Sequence, residues 1–187
     1  MKYTPHEYQQ FCEDFLLDKP AAGLLLDMGL GKTVITLTTV ARWLYDRFEI
    51  NKVLVVAPLR VAEDTWTKES AKWDHLQDLR VVRVLGSEAQ RIRALQTDAD
   101  IYCINRENIP WLVKYYGACW PFDGVVLDEL SSFKNPSSKR FKAMRKVRPL
   151  IKHIVGLTGT PSPNGLIDLW AQIYLLDRGE RLGRALT

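Results

Sequence analysis

Apolar residues along this chain fall into two alternating patterns. Short runs at 23–26, 53–57, 80–85, 100–104, 124–127 and 153–157 have the length of strands. The run at 53–57 is apolar at every position, as expected of a strand buried on both faces. Between the runs lie segments with helical spacing. Val34, Leu37, Ala41, Leu44 and Phe48 would share one helix face. Further helices are expected at 6–17, 61–73, 108–116, 138–147 and 166–176. Thr4 followed by Pro5 suits the start of the first, a cap and then proline at the first helical position. Ser87 and Gln90 have the spacing of a capping box for a helix that runs to Gln96.

Such alternation predicts an α/β fold, a parallel sheet with helices on both faces. Ligands in these sheets bind beyond the carboxyl ends of the strands. Polar clusters that directly follow strands are therefore the places to look for chemistry. A chain of 187 residues fits one domain, large enough to bury a core without disulfides or a structural metal. With 47% hydrophobic and 26% charged residues, wholesale disorder is excluded. Cys12, Cys103 and Cys119 are odd in number and far apart, which argues against a disulfide framework or a cysteine zinc site and for a reducing compartment. No apolar signal region opens the sequence and no apolar run would span a bilayer, so a cytoplasmic or nucleoid-associated domain without a membrane partner is expected. The net charge of +4 suits a polyanionic partner without demanding one.

Three polar clusters follow strands. The first is Asp27-Met28-Gly29-Leu30-Gly31-Lys32-Thr33, between an apolar strand and an amphipathic helix. Glycines let backbone amides turn inward around phosphate oxygens, and the helix start adds its positive dipole end. Lys32 would reach the β- and γ-phosphates, and Thr33 would offer its hydroxyl to Mg²⁺. The strict phosphate-loop pattern wants glycine where Leu26 stands, and a glycine turn beside a surface lysine would account for the short string alone. The second cluster is Asp128-Glu129. A carboxylate at the end of a buried strand is costly unless it meets a cation. Asp128 fits the role of holding the nucleotide's metal, and Glu129 that of positioning and deprotonating water. A strand-end pair that merely caps a turn is the bland alternative. The third is Leu157-Thr158-Gly159-Thr160-Pro161, whose hydroxyls on a glycine-bent loop could exchange hydrogen bonds between two arrangements. Alone it would be an ordinary polar turn.

Taken in order, the clusters resemble the first, ATP-binding RecA-like lobe of superfamily 2 helicases, in particular the Swi/Snf-like DNA-translocase branch. Tyr8-Gln9 resembles the family's adenine-recognition glutamine, and residues 27–33 its motif I. Ala57-Pro58-Leu59, with Trp66, Glu69 and Trp73, resembles motif Ia and its helix. Ile104-Asn105-Arg106-Glu107 sits where the family has its next strand-end motif. Asp128-Glu129-Leu130-Ser131 with Lys134-Asn135 resembles motif II, and residues 157–161 with Asn164 resemble motif III. The segment from Leu166 through Trp170 to Gly183 is similar to the family's end of lobe one, so the likeness spans nearly the whole chain. It implies a P-loop NTPase lobe that uses ATP and Mg²⁺, with Lys32 and Glu129 catalytic. Gln9, Met28, Gly29, Leu30, Gly31, Lys32 and Thr33 would hold the nucleotide, and Thr33 and Asp128 the metal. Thr158, Gly159 and Thr160 would couple sites, and Pro58, Leu59, Arg60 and Asn105 would touch nucleic acid. DNA is the implied partner, duplex ahead of single strand, with RNA left open. Ser131 departs from the histidine many relatives carry after the acidic pair. The family also has a second lobe that supplies arginines to the ATP site. Residues 1–187 match only the first lobe, so a longer parent protein is expected.

No acidic residue occurs between Leu130 and Ile167, where Lys134, Lys139, Arg140, Lys142, Arg145, Lys146, Arg148 and Lys152 lie. This is either a solvated helix face or a track for a phosphate backbone. Trp43, Trp66 and Trp73 fall on expected helices and read as core. A GTPase would want Asn-Lys-x-Asp after a strand, which Asn105-Arg106-Glu107-Asn108 fails at two positions. A nucleoside kinase gives no reason for the threonine loop. A non-catalytic, nucleotide-gated binding module remains the alternative to an ATPase lobe.

Overall fold

The computed structural model describes residues 1–160 and 167–184; Pro161, Asn164 and Leu166, named above, lie outside the described residues. Six strands form one sheet: β1 (Ala21–Leu25), β2 (Val53–Ala57), β3 (Val81–Val84), β4 (Ile101–Asn105), β5 (Gly124–Asp128) and β6 (His153–Thr158). Every pairing is parallel and the order is β1-β6-β5-β2-β4-β3. The helices are α1 (Glu7–Asp18), α2 (Lys32–Ala41), α3 (Trp66–Lys72), α4 (Glu88–Gln96), α5 (Ile109–Tyr116), α6 (Lys139–Val147) and α7 (Ile167–Asp177).

Strand residues alternate between two apolar layers, as a period of two requires. Val53, Val55 and Ala57 of β2 pack with Leu16 of α1, Leu37 of α2 and Trp66 of α3. Leu54 and Val56 point the other way, to a layer with Leu112 of α5, Phe141 and Met144 of α6 and Leu175 of α7. At about 1.5–3 kcal/mol for each large apolar side chain taken from water, these two layers hold the sheet rigid. They fix six strand ends side by side along its carboxyl edge. Gly156 of β6 has a specific duty there. A Cβ on it would lie 2.6 Å from Leu130 Cδ2, so only glycine lets Leu130 seat itself against the sheet right after the acidic pair.

The strands lie within two residues of their expected positions. Three local expectations are corrected. The first helix is capped at His6 rather than Thr4, and Gln9 Oε1 accepts the His6 N–H at 3.0 Å. The helix after the phosphate loop passes into a π-helical turn, Arg42–Asp46. That extra residue per turn breaks the 3.6-residue stripe, and Phe48, expected on the buried face, is 80% exposed with φ +52°. The segment before α3 likewise opens as a π-helical turn, Val61–Thr65.

Candidate functional site

The phosphate loop leaves β1 and enters α2 directly. Gly29 and Gly31 have φ of +86° and +77°, values that favour glycine. A Cβ on Gly29 would meet nothing within 4 Å, so this turn faces open space. A Cβ on Gly31 would sit 2.5 Å from Gln9 Nε2, so the loop packs closely against the α1 glutamine. The carbonyl of Leu30 accepts from the Tyr8 hydroxyl at 3.2 Å and lies 3.5 Å from Gln9 Nε2. Lys32 Nζ donates to Leu26 O at 2.6 Å and Asp27 O at 3.0 Å. Thr33, in the first turn of α2, is partly exposed, and Met28 is exposed.

The acidic pair ends β5, with β6 between it and the phosphate loop. Desolvation pushes the Asp128 carboxyl above its ordinary pKa, and the Glu129 charge pushes the same way. The Trp66 indole and the Lys32 charge pull it back. Trp66 Nε1 donates to Asp128 Oδ2 at 2.9 Å. Glu129 is in the left-handed region, φ +64°, a conformation costing a non-glycine residue about 1–3 kcal/mol that surrounding structure must offset. Its Oε1 accepts from the Thr158 hydroxyl at 2.9 Å and also from the Ser131 hydroxyl. Thr158 Oγ1 in turn accepts the Thr160 N–H at 3.1 Å. A Cβ on Gly159 would come 3.4 Å from Leu26 O, so the threonine loop lies against the phosphate loop.

No group of three or more His, Cys, Asp or Glu side chains among the described residues could hold a metal by itself. Mg²⁺ is ordinarily held by one or two carboxylates together with substrate phosphates. A desolvated Asp128 within the field of Lys32, with the Thr33 hydroxyl at the start of α2, fits a metal that arrives with a phosphate.

Ala57 pairs in register with Asn105, so the segment after β2 and the end of β4 emerge side by side. Leu59 and Arg60 are exposed and Pro58 partly so. Asn105 is committed to its own turn. Its Nδ2 donates to Glu107 Oε2 at 3.1 Å, and its Oδ1 accepts from Asn108 Nδ2 at 2.6 Å. Arg106 Nη1 donates to Ser132 Oγ at 2.6 Å, which ties the β4 loop to the one after the acidic pair.

The basic stretch is less uniform than its sequence. Arg148 is buried, and its guanidinium donates to the carbonyls of Ile151, Leu175 and Leu176. It satisfies the last turn of α7 and leaves any phosphate track. Lys134 pairs with Asp168 and Lys152 with Asp123, each at 3.6 Å. Lys139, Lys142, Arg145 and Lys146 remain on the exposed face of α6. Trp43 and Trp66 are core as expected, while Trp73 is partly buried against that layer. Two site features escaped the sequence: the Trp66 hydrogen bond to Asp128 and the Ser131 hydroxyl on Glu129. The first had a signal, since a buried indole N–H usually finds an acceptor.

Comparison with known proteins fits this geometry. The sequence model of the SNF2-related domain matches residues 8–180. The chain belongs to the SNF2-related domain family. A phage protein, putative protein p41 of Acyrthosiphon pisum secondary endosymbiont phage 1, is 43% identical over 97% of this chain and 41% of its own length. The mouse DNA excision repair protein ERCC-6-like is 32% identical over 91% of the chain and 14% of its own length. A solved Sulfolobus solfataricus SWI2/SNF2 ATPase core in complex with dsDNA superposes with a TM-score of 0.79 at 28% identity. It covers 96% of this chain and 37% of that one. This SNF2-related lobe thus spans well under half the length of these relatives. Its fold is the expected RecA-like one, a single parallel sheet with helices on both faces. None of its described helices is long and apolar enough to cross a membrane.

Proposed function

We propose that this chain is the Mg·ATP-binding lobe of a DNA-stimulated ATPase that moves along duplex DNA, hydrolysing ATP when a second RecA-like lobe completes the site. The observation that carries this reading is the joining of three loops on neighbouring strands. Gly159 of the threonine loop lies against Leu26 at the start of the phosphate loop, and Thr158 bonds Glu129 directly. Gln9, packed on Gly31, would read a purine edge. The amides of residues 28–31 and the start of α2 offer donors to phosphate oxygens, and Lys32 leaves its loop carbonyls for them. Asp128 and Thr33 would hold Mg²⁺, which spreads the negative charge of the phosphates. Glu129 would orient water and accept its proton, a role worth about 10²–10⁴ in rate. The threonine hydroxyls would report the state of that carboxylate to the loops at Pro58, Leu59, Arg60 and Asn105. Duplex DNA as partner is supported by the archaeal core, which was solved with it. The exposed basic face of α6 suits backbone contacts of that kind.

The reading is tested by turnover. An arginine donated to the γ-phosphate is worth about 10³–10⁵ in rate, and in the resembled family it comes from the second lobe. Residues 1–187 alone should bind ATP with near-background hydrolysis, even with DNA present. A two-lobed parent protein should show DNA-stimulated turnover. Robust DNA-stimulated activity from the isolated lobe, or none from the two-lobed protein, would contradict it.

A further inference from the structure

The segment after β2 and the acidic pair after β5 meet at one polar contact. Trp66 has no solvent-exposed surface, and its Nε1 lies 2.9 Å from Asp128 Oδ2. The indole opens α3, and the π-helical turn Val61–Thr65 joins it to Arg60 with no intervening loop. That turn is itself pinned, because Arg83 of β3 donates to Glu63 O at 3.1 Å. A buried indole on a pinned turn has little rotational freedom. The direction of its N–H is therefore fixed by the fold rather than by the carboxylate it meets.

We propose that Trp66 is a positioning residue for the metal-holding carboxylate, its indole N–H fixing Asp128 so that the carboxylate is presented to the nucleotide's metal in one orientation. The inference rests on the assignment of Asp128 to the metal. It adds a residue that touches neither metal nor nucleotide, and it makes the segment that carries Arg60 a structural part of the metal site. A carboxylate at a strand end can rotate about two side-chain bonds. Held by a donor on one oxygen, it avoids the ordering cost that a mobile ligand meets when the ion arrives.

Trp43 provides the control. It is as deeply buried, 2% against 0%, but its Nε1 has no hydrogen-bond partner. ATP affinity of the chain would be measured with Mg²⁺ and with the metal chelated, for wild type, Trp66→Phe, Trp43→Phe and Asp128→Ala. Replacement of Trp66 by its benzothiophene isostere, which exchanges the N–H for sulfur and keeps the shape, guards against a folding defect in Trp66→Phe. Hydrogen bonds to charged groups are among the stronger ones. Trp66→Phe and the isostere should each lose about tenfold of the Mg²⁺-dependent affinity with chelated-metal affinity unchanged. Asp128→Ala should lose at least as much, and Trp43→Phe should match wild type. Equal losses with and without metal would mean that Trp66 only packs, and would overturn the proposal. So would wild-type metal dependence in both Trp66 variants beside a loss in Asp128→Ala. Metal dependence that survives Asp128→Ala would instead remove the metal assignment itself.

Discussion

The phosphate loop and the acidic corner flank the same strand, β6, and are built in opposite ways. In the phosphate loop the reactive group rests on its own backbone, since Lys32 satisfies itself on the carbonyls of Leu26 and Asp27. Its glycine turn at Gly29 faces open space. In the acidic corner both carboxylates are held by side chains from other positions. Trp66 reaches Asp128, while Ser131 and Thr158 both reach Glu129. On the proposed reading one half would rearrange to take a ligand, and the other is assembled beforehand. Preassembly costs stability, in a strained Glu129 and a desolvated Asp128, and it removes reorganisation from the chemical step. Binding energy gathered at the mobile half can then be used at the rigid one.

The largest effect should come from breaking the rigid half alone. In a two-lobed parent protein, Glu129→Gln would remove the proposed base while leaving the proposed phosphate contacts in place. ATP should still bind and turnover should fall at least about a hundredfold, the scale of general-base loss. Single-turnover hydrolysis beside equilibrium binding measures both. Wild-type turnover would reassign the base, and lost binding would mean that the two halves are not separable.

A smaller effect sharpens the same contrast through stability. Burial raises the Asp128 pKa in the folded lobe, so protonation favours the fold and stability is lost as pH rises through that pKa. Asp128→Asn should therefore raise the melting temperature of the lobe at neutral pH, by about 2–4 °C if the gain is near 1 kcal/mol. The advantage should vanish in acid, where the native carboxyl is already neutral. Melting curves across pH, without nucleotide or Mg²⁺, show it directly. A variant less stable than wild type at neutral pH would mean that the corner is not strained by its charge.

The sequence made the fold legible because each strand is a compact apolar run and each helix a stripe. The doubly buried run of β2 and the Ser87–Gln90 cap are clear instances, and the cap forms as expected. What the pattern missed has physical causes. Phe48 lost its place because a π-helical turn, invisible to a fixed 3.6-residue period, intervenes. Arg148 resembled its basic neighbours, but its guanidinium turns inward to carbonyls nearly thirty residues away. The three polar clusters were legible by type and order, and the sheet brings them to the ends of the neighbouring strands β1, β6 and β5. The Trp66 contact was not, because it depends on which strands are neighbours, and the order β6-β5-β2 is a property of the sheet; the Ser131 contact is local and follows the left-handed turn at Glu129.

On the proposed reading Lys32 is the mobile half of a nucleotide site and exchanges its loop carbonyls for phosphate oxygens. The direct measurement is calorimetric titration of residues 1–187 with Mg·ATP, for wild type and for Lys32→Ala, with far-ultraviolet circular dichroism confirming that both are folded. Wild type should bind, and Lys32→Ala should lose most of the affinity, at least about tenfold for a charge-assisted contact, with its fold unchanged. Undiminished binding by a folded Lys32→Ala chain would contradict that role for Lys32.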